Sequence, residues 1–594
     1  MTEATVDEAI PASDRDPASD RDPAASDASG SGAPATTGVP GAPLLQIDDL
    51  IFTYRRASQP ALRGVSLAVE AGEVVLVAGP SGCGKSTLIR GINGLIPHAY
   101  RGTVAGEVRI QGRPVAEMRL RDLAQVVGTV LQDPARQIVG ATVEAELAFG
   151  PENLAVPREA IRAGIREVFE RTSIGHLSGR ETSALSGGER QLVAVAGILM
   201  MRPQLYVVDE PLANLDPMAA SQLLAILRRM ADEGSAVVIV EHRVEEALEL
   251  RPDRVLYMEQ GETRFLGTMD GFLEVADPAL VKLPFQAIVE QARCRTPAGS
   301  IAELETPAQA SEPPPPPSSA EPPPPPRVEY VDVRAGYGDV EILHGVSARL
   351  GATETVALLG PNGSGKTTLF KAAMKLLPLM GGSINVDGED TARRRVAEMA
   401  RSFGYVFQSP SQMFFARTVK EELIFGPTNL GADPATFDDL VVDVLARVGL
   451  DAEEDILERP PMTLSFGQQK RLAIAIALAM RPRTLILDEP SAGQDHASAA
   501  RFMAQVRAIP GIQSLYLVTH DVDLALTHAD RILLFREGRV VADGPPAEVV
   551  RDLDRWRACN LRETSLMQAN ARWAPADGRF VDAERLAAMV AGRP

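Results

Sequence analysis

The chain repeats itself. GPSGCGKST at 79–87 returns as GPNGSGKTT at 360–368, and LSGGERQ at 185–191 returns as LSFGQQK at 464–470. LYVVDEP at 205–211 returns as LILDEP at 485–490, and EHR at 241–243 as THD at 519–521. The spacing is kept as well. Ser186 stands 23 residues before Asp209, as Ser465 stands 23 before Asp488, and the next steps, to His242 and His520, are 33 and 32 residues. Four elements in one order at matched spacing mean a duplicated domain, so both halves must reach the same fold.

Each half reads as α/β. The apolar runs VVLVAGP (74–80) and TVALLGP (355–361) enter Gly-rich turns and then helical patterns. LYVVD and TLILD are second buried strands, AVVIVEH and SLYLVTH third ones. Continuous apolar strands alternating with helices imply a parallel sheet covered on both faces. The expected organisation is a low-complexity tail over 1–43, a first domain over 44–292, a linker over 293–327, a second domain over 328–550 and a C-terminal extension over 551–594. The tail repeats Ser-Asp-Arg-Asp-Pro-Ala at 13–18 and 19–24, too polar to bury a core. The linker carries two five-proline blocks, Pro313–Pro317 and Pro322–Pro326. About 33 such residues span roughly 30 Å as a flexible coil and up to about 100 Å if polyproline-extended. Either reach lets the halves pair within one chain.

Composition excludes other classes. The net charge is −19, against the basic face that nucleic-acid phosphates require. Three cysteines, Cys83, Cys294 and Cys559, are too few for a disulfide scaffold or a cysteine zinc cluster. No apolar run approaches the 18 or so residues that span a bilayer, and the acidic N-terminus lacks a secretory pattern. Work at a membrane is expected to go through partner proteins.

The glycine-rich segments carry the chemistry. Gly79, Pro80, Ser81, Gly82, Cys83, Gly84, Lys85, Ser86 and Thr87, with Gly360, Pro361, Asn362, Gly363, Ser364, Gly365, Lys366, Thr367 and Thr368, twice spell the P-loop pattern between a strand and a helix. Glycines let backbone N–H groups cradle phosphates, and the helix adds its positive end. Lys85 and Lys366 are expected to reach the β- and γ-phosphates, and the hydroxyls of Ser86 and Thr367 to ligate Mg²⁺. Asp209 and Asp488 end apolar strands beside these loops and are expected to hold the same Mg²⁺. Strand alternation should turn Glu210 and Glu489 toward the attacking water as catalytic bases. His242 and His520 are expected to sense the γ-phosphate, and Gln132 and Gln408 to contact Mg²⁺ and water. Cys83 lies inside the first loop, so alkylation there is expected to inhibit and ATP to protect.

Together these residues resemble the ATP-binding cassette (ABC) ATPase family, twice. LSGGER and LSFGQQ are similar to its signature motif. The resemblance implies a head-to-tail dimer with two shared ATP sites. One would join Lys85, Ser86, Gln132, Asp209, Glu210 and His242 to Ser465, Gly467 and Gln468. The other would join Lys366, Thr367, Gln408, Asp488, Glu489 and His520 to Ser186, Gly188 and Glu189. It also implies adenine stacking on Tyr54 and Tyr337, and a helical subdomain in each half. Phe466 stands where the first half has Gly187, so that backbone position should not need positive φ.

A narrower resemblance runs through LQDPARQIVGATVEAELAFGPENL (131–154) and FQSPSQMFFARTVKEELIFGPTNL (407–430). These look like ATPases of energy-coupling factor (ECF) transporters, importers of vitamins or transition-metal ions. The implied partners are a membrane coupling protein and a small membrane substrate-binding protein, with the chain at the cytoplasmic face of the cell membrane. The alternatives are the ATPase of a sugar- or peptide-type ABC transporter and a soluble ribosome-associated tandem ABC protein. The short tail helices in 551–594 are expected to help hold the halves together.

Overall fold

The structure is a computed structural model that describes residues 43–55, 57–212, 215–295, 326–451, 455–492, 494–573 and 580–591. The tail and the proline-rich linker fall, apart from their edges, outside the described residues.

Each half carries two sheets. In the first, a six-stranded sheet runs in the order Glu262–Gly267, Arg254–Glu259, Val74–Ala78, Ala236–Val240, Leu205–Asp209, Val127–Val130. Its neighbours pair in parallel, except the Arg254–Glu259/Glu262–Gly267 hairpin at one edge. The second half repeats this order with Arg539–Gly544, Arg531–Arg536, Thr355–Leu359, Ser514–Thr519, Thr484–Asp488 and Phe403–Val406. The strands read as unbroken apolar runs because helices and a second sheet cover both faces; Val74–Ala78 and Ala236–Val240 are buried at every residue.

The second sheet is antiparallel and four-stranded, and its alternating burial separates it from the parallel core. Leu62–Val69 buries every second or third residue against the central sheet and exposes the others. The sheet architecture is therefore mixed rather than purely parallel. Short hairpin connections favour antiparallel pairing, while the crossover helices force parallel pairing in the core.

Parallel pairing has a functional consequence. All five parallel strands of a half end on the same edge, so the segments leaving them gather there: the glycine loop after Ala78, Gln132 after Val130, Asp209 at its strand's end and His242 after Val240.

The described residues cluster as one compact unit, with contacts between the halves such as Lys282 to Asp523 at 2.7 Å. Part of that unity comes from the end of the chain. The helices Ser565–Trp573 and Ala583–Ala591 follow the second half, yet Leu566, Ala569, Leu586, Ala587 and Val590 lie in the first half's core. Met567, beside Leu566, lies in the second half's core. Trp556, fully buried, anchors the start of this extension by donating from Nε1 to Val549 O at 2.7 Å.

Candidate functional site

The two glycine loops adopt one conformation. Gly79 and Gly360 have φ of 150° and 154°, and a Cβ on either would meet a backbone carbonyl, Met258 O at 2.2 Å or Phe535 O at 2.3 Å. Only glycine allows that approach. Gly82 and Gly363 face open space, which leaves a cradle on the loop's inner side. Lys85 Nζ, nearly buried, donates to Gly79 O at 2.7 Å and Pro80 O at 2.9 Å, and Lys366 repeats both bonds at the same distances. Burial lowers the Lys366 ammonium despite the pull of Glu489 and Asp488.

The strand-end aspartates lie beside these loops. Asp209 lies beside the Ser86 hydroxyl, and its Oδ1 is buried with no hydrogen-bond partner. Burial, then the Glu210 charge, pushes Asp209 up to about 6. Asp488 accepts from Thr367 Oγ1 at 3.1 Å and from the Tyr405 hydroxyl, and burial raises it too. An unsatisfied buried carboxylate beside a hydroxyl suits a hard divalent cation. Among the described residues no cluster of three or more metal-ligating side chains exists. A cation here would take one carboxylate and one hydroxyl from the protein and its other ligands from phosphate and water.

Glu210 and Glu489 turn away from the aspartates by a different device from the expected strand alternation. The strands end at the aspartates, and each glutamate sits at positive φ, 44° and 49°. A left-handed turn, not strand alternation, swings the side chain away from the aspartate. Such a conformation costs about 1–2 kcal/mol in a residue with a Cβ. The backbone bonds Glu210 N–H to Val240 O and Glu489 N–H to Val518 O hold it at 2.9 and 2.8 Å.

The two glutamates meet their histidines at different distances. His242 Nδ1 is 3.6 Å from Glu210 Oε1, whereas His520 Nδ1 is 3.0 Å from Glu489 Oε1. Burial works to raise both carboxyls, but the neighbouring imidazoles outweigh it and hold both below the usual range. His242 is correspondingly raised: burial disfavours its charge, and Glu210 more than restores it. Gln132 Nε2 donates to Glu210 Oε2 at 2.7 Å. Gln137 pins the loop that carries Gln132, accepting from Leu131 N–H at 2.9 Å and donating to Thr129 O at 3.1 Å.

The signature segments open helices Gly187–Leu199 and Phe466–Ala479. Ser186 and Ser465 are N-caps in full capping boxes, closed by Glu189 and Gln468. The side chains of Glu189 and Gln468 therefore turn back on their own helices, and Glu189 also pairs with Arg180 at 2.7 Å. Phe466 takes ordinary helical φ, as the sequence implied.

The aromatics differ between halves. Tyr54 is tied down, its hydroxyl accepting from Arg90 at 2.6 Å and bonding the Thr87 hydroxyl at 3.1 Å. Tyr100 packs on it edge-on, with the Arg90 guanidinium 4.5 Å over the Tyr100 ring. Tyr337 is half exposed, with Lys371 Nζ 5.7 Å from its ring centre. Cys83 is buried and desolvation raises its thiol, so the reactivity expected from its loop position requires the loop to open first.

Several residues at this edge went unassigned in the sequence. Asp495 reaches across the halves: its Oδ2 accepts the Ser81 N–H at 2.6 Å. The signal was available, since Asp216 and Asp495 each stand seven residues beyond the strand-end aspartates. Glu241, fully buried, accepts the N–H groups of Leu212, His242 and Arg243. Its second-half counterpart, Thr519, donates to Glu489 instead. A cavity between the halves brings His242, Arg243 and Lys282 near Asp495, His520 and Asp521.

Comparison with known proteins agrees with this geometry. The ABC transporter family profile matches residues 62–213 and 343–492. A Streptomyces avermitilis protein named "Putative ABC transporter ATP-binding protein" is 37% identical over 540 residues, covering 85% of this chain and 95% of its own. A Methanosarcina acetivorans protein of the same name is 34% identical over 555 residues, covering 88% and 89%. The solved structure of cbiO1 from Clostridium perfringens, part of the ABC transporter complex cbiONQ, is 32% identical and covers 40% of this chain and 95% of its own, with a TM-score of 0.35. A family match in both halves and relatives aligned along nearly their whole length leave one assignment: the chain belongs to the ABC transporter ATP-binding family and is an ATPase with two ABC domains in tandem.

Proposed function

We propose that this chain is the energy-coupling ATPase of an ECF-type importer, driving uptake of a vitamin or a transition-metal ion through membrane partners. The observation that carries it is a set of exposed phenylalanines on the duplicated segments. Phe149 is 50% exposed, and Phe415 and Phe425 are 66% and 49% exposed with their rings 4.8 Å apart. They lie on the duplicated segments 131–154 and 407–430, with Phe149 and Phe425 each 17 residues after the glutamine of their site. Large apolar side chains left in water at matched places in both halves fit docking by helices of a membrane coupling protein. No helix among the described residues is long and apolar enough to cross a membrane, so such helices would come from partners.

The Ser81–Asp495 contact supports an ATP site on the first phosphate loop that is shared between the halves, and the duplication extends the same reading to the second loop. In the first site, the loop from Gly79 to Thr87 holds the phosphates and Lys85 leaves its carbonyl partners to reach them. Ser86 and Asp209 would hold Mg²⁺, which when bound neutralises phosphate oxygens as charge develops. Glu210, ionised at neutral pH, orients the attacking water and accepts its proton. His242 donates toward the γ-phosphate, and Gln132 reports its state to the exposed segment that follows. Thr367, Asp488, Glu489, His520 and Gln408 take the same roles in the second site. Ser465 and Gly467, with Ser186 and Gly188, would close the sites through helix N-termini. Both halves keep a glutamate and a histidine, so both sites hydrolyse ATP.

The test is affinity purification from solubilised membranes of the protein's own cells. Two small integral membrane proteins, one coupling and one substrate-binding, support the ECF reading. Large permeases with a solute-binding protein would replace it with a sugar- or peptide-type importer.

A further inference from the structure

Lys470 lies in the second signature helix and is 3% exposed. Its Nζ donates to Pro490 O at 2.7 Å and to Ala492 O at 2.8 Å. Those carbonyls belong to the segment that leaves Glu489 and ends at Asp495. The same ammonium lies 5.2 Å from the centre of the Phe466 ring, one turn earlier in its own helix, and 5.8 Å from that of Phe502. Burial lowers Lys470 to about 7 against the pull of Glu489.

A buried amine is costly, and two carbonyls and two ring faces are what make it tolerable. An amide can fill the same place, because the first half has Gly187 and Gln191 at the equivalent positions. There the Gln191 Nε2 is buried without a hydrogen-bond partner. Phe466 and Lys470 thus differ from the first half as a contacting pair. The first half secures the matching segment with other groups: Glu241 accepts Leu212 N–H at 2.9 Å, and Arg243 donates to Leu212 O at 2.9 Å.

The held segment starts beside Glu489 of the second site, but its far end reaches the first phosphate loop, and on the shared-site reading the signature helix points its N-cap at the same loop. The signature helix begins at Ser465, and the segment it holds ends at Asp495, which takes the Ser81 N–H of the first phosphate loop. We propose that Lys470 is a positioning residue for the ATP site built on the first half's phosphate loop, locking the second signature helix to the 490–495 segment so that Ser465 and Asp495 approach that loop in fixed relation. This rests on the reading that each ATP site is shared between the halves.

The experiment uses the full chain with Lys470→Met, and with the pair change Phe466→Gly/Lys470→Gln, which reproduces the first half's own arrangement and so keeps the fold. Hydrogen exchange at the Ser81 amide is read first, without turnover. Both variants should lose protection there while the peptide holding Asn362 is unchanged. Unchanged Ser81 protection overturns the proposal. Turnover is then read in Glu489→Gln and Glu210→Gln backgrounds. Lys470→Met should lower kcat by about tenfold or more where Glu210 remains, and by a clearly smaller factor where Glu489 remains even though Pro490 adjoins that base. Loss of Ser81 protection with equal kinetic effects in both backgrounds would keep the structural link and defeat the shared-site reading.

Discussion

Ser81 and Asp495 are 414 positions apart in the chain, yet the backbone N–H of one donates to the carboxylate of the other at 2.6 Å. The other oxygen of Asp495 caps the helix His496–Arg507 through Ser498 N–H at 2.7 Å. Burial works against this carboxylate, but its backbone donors hold it below the usual range. Asp495→Asn leaves one acceptor oxygen for two donors. A hydrogen bond to a charged group is worth about 1.5–3 kcal/mol. In the Glu489→Gln background, where only the first site turns over, Asp495→Asn should raise the KM for ATP, and in the Glu210→Gln background it should leave the KM unchanged.

Glu210→Gln and Glu489→Gln test whether both sites turn over. Each should remove at least about half of the steady-state ATPase rate, and the double variant should fall by about 10²-fold or more. A single variant with unchanged turnover would defeat the two-site reading.

Burial, then the Glu210 charge, pushes the Asp209 carboxyl up to about 6. The sign follows from linkage: the stability this raised carboxyl supplies is full at low pH and is lost as pH rises through about 6. At neutral pH its ionised form is a cost that a bound cation offsets. The rise in melting temperature on adding Mg²⁺ with nucleotide should therefore shrink as pH falls from about 7.5 to about 5.5, and Asp209→Asn should flatten that dependence.

Leu586 lies near the C-terminus but is fully buried in the first half's core. Leu586→Ala should cost about 2–5 kcal/mol. Proteolysis or hydrogen exchange should locate the loss in Phe285–Arg295, the first-half helix it packs near, as well as in the extension.

The Cys83 thiol is buried and raised, so maleimide labelling should be slow at neutral pH and rise with conditions that open the loop. ATP should slow it further, and Cys83→Ser should abolish any inhibition.

Much of this architecture was legible along the chain. The duplication, the alternation of buried strands with helices, the glycine loops and the capping boxes all depend on local pattern: a glycine where a carbonyl crowds Cβ, a Ser three residues before Glu or Gln, five apolar residues in a row. Those patterns determined the α/β class and the two-domain plan. The tertiary structure alone decided which side chains meet. Glu210 is aimed by a left-handed turn that strand periodicity does not encode. Lys470 is held by carbonyls 20 and 22 residues away. Asp495 finds its partner in the other half, and Leu586 fills a core that its own half does not own. Each of these arrangements joins residues whose separation in sequence carries no periodic signal, so only tertiary packing, within a half or between the halves, could bring them together.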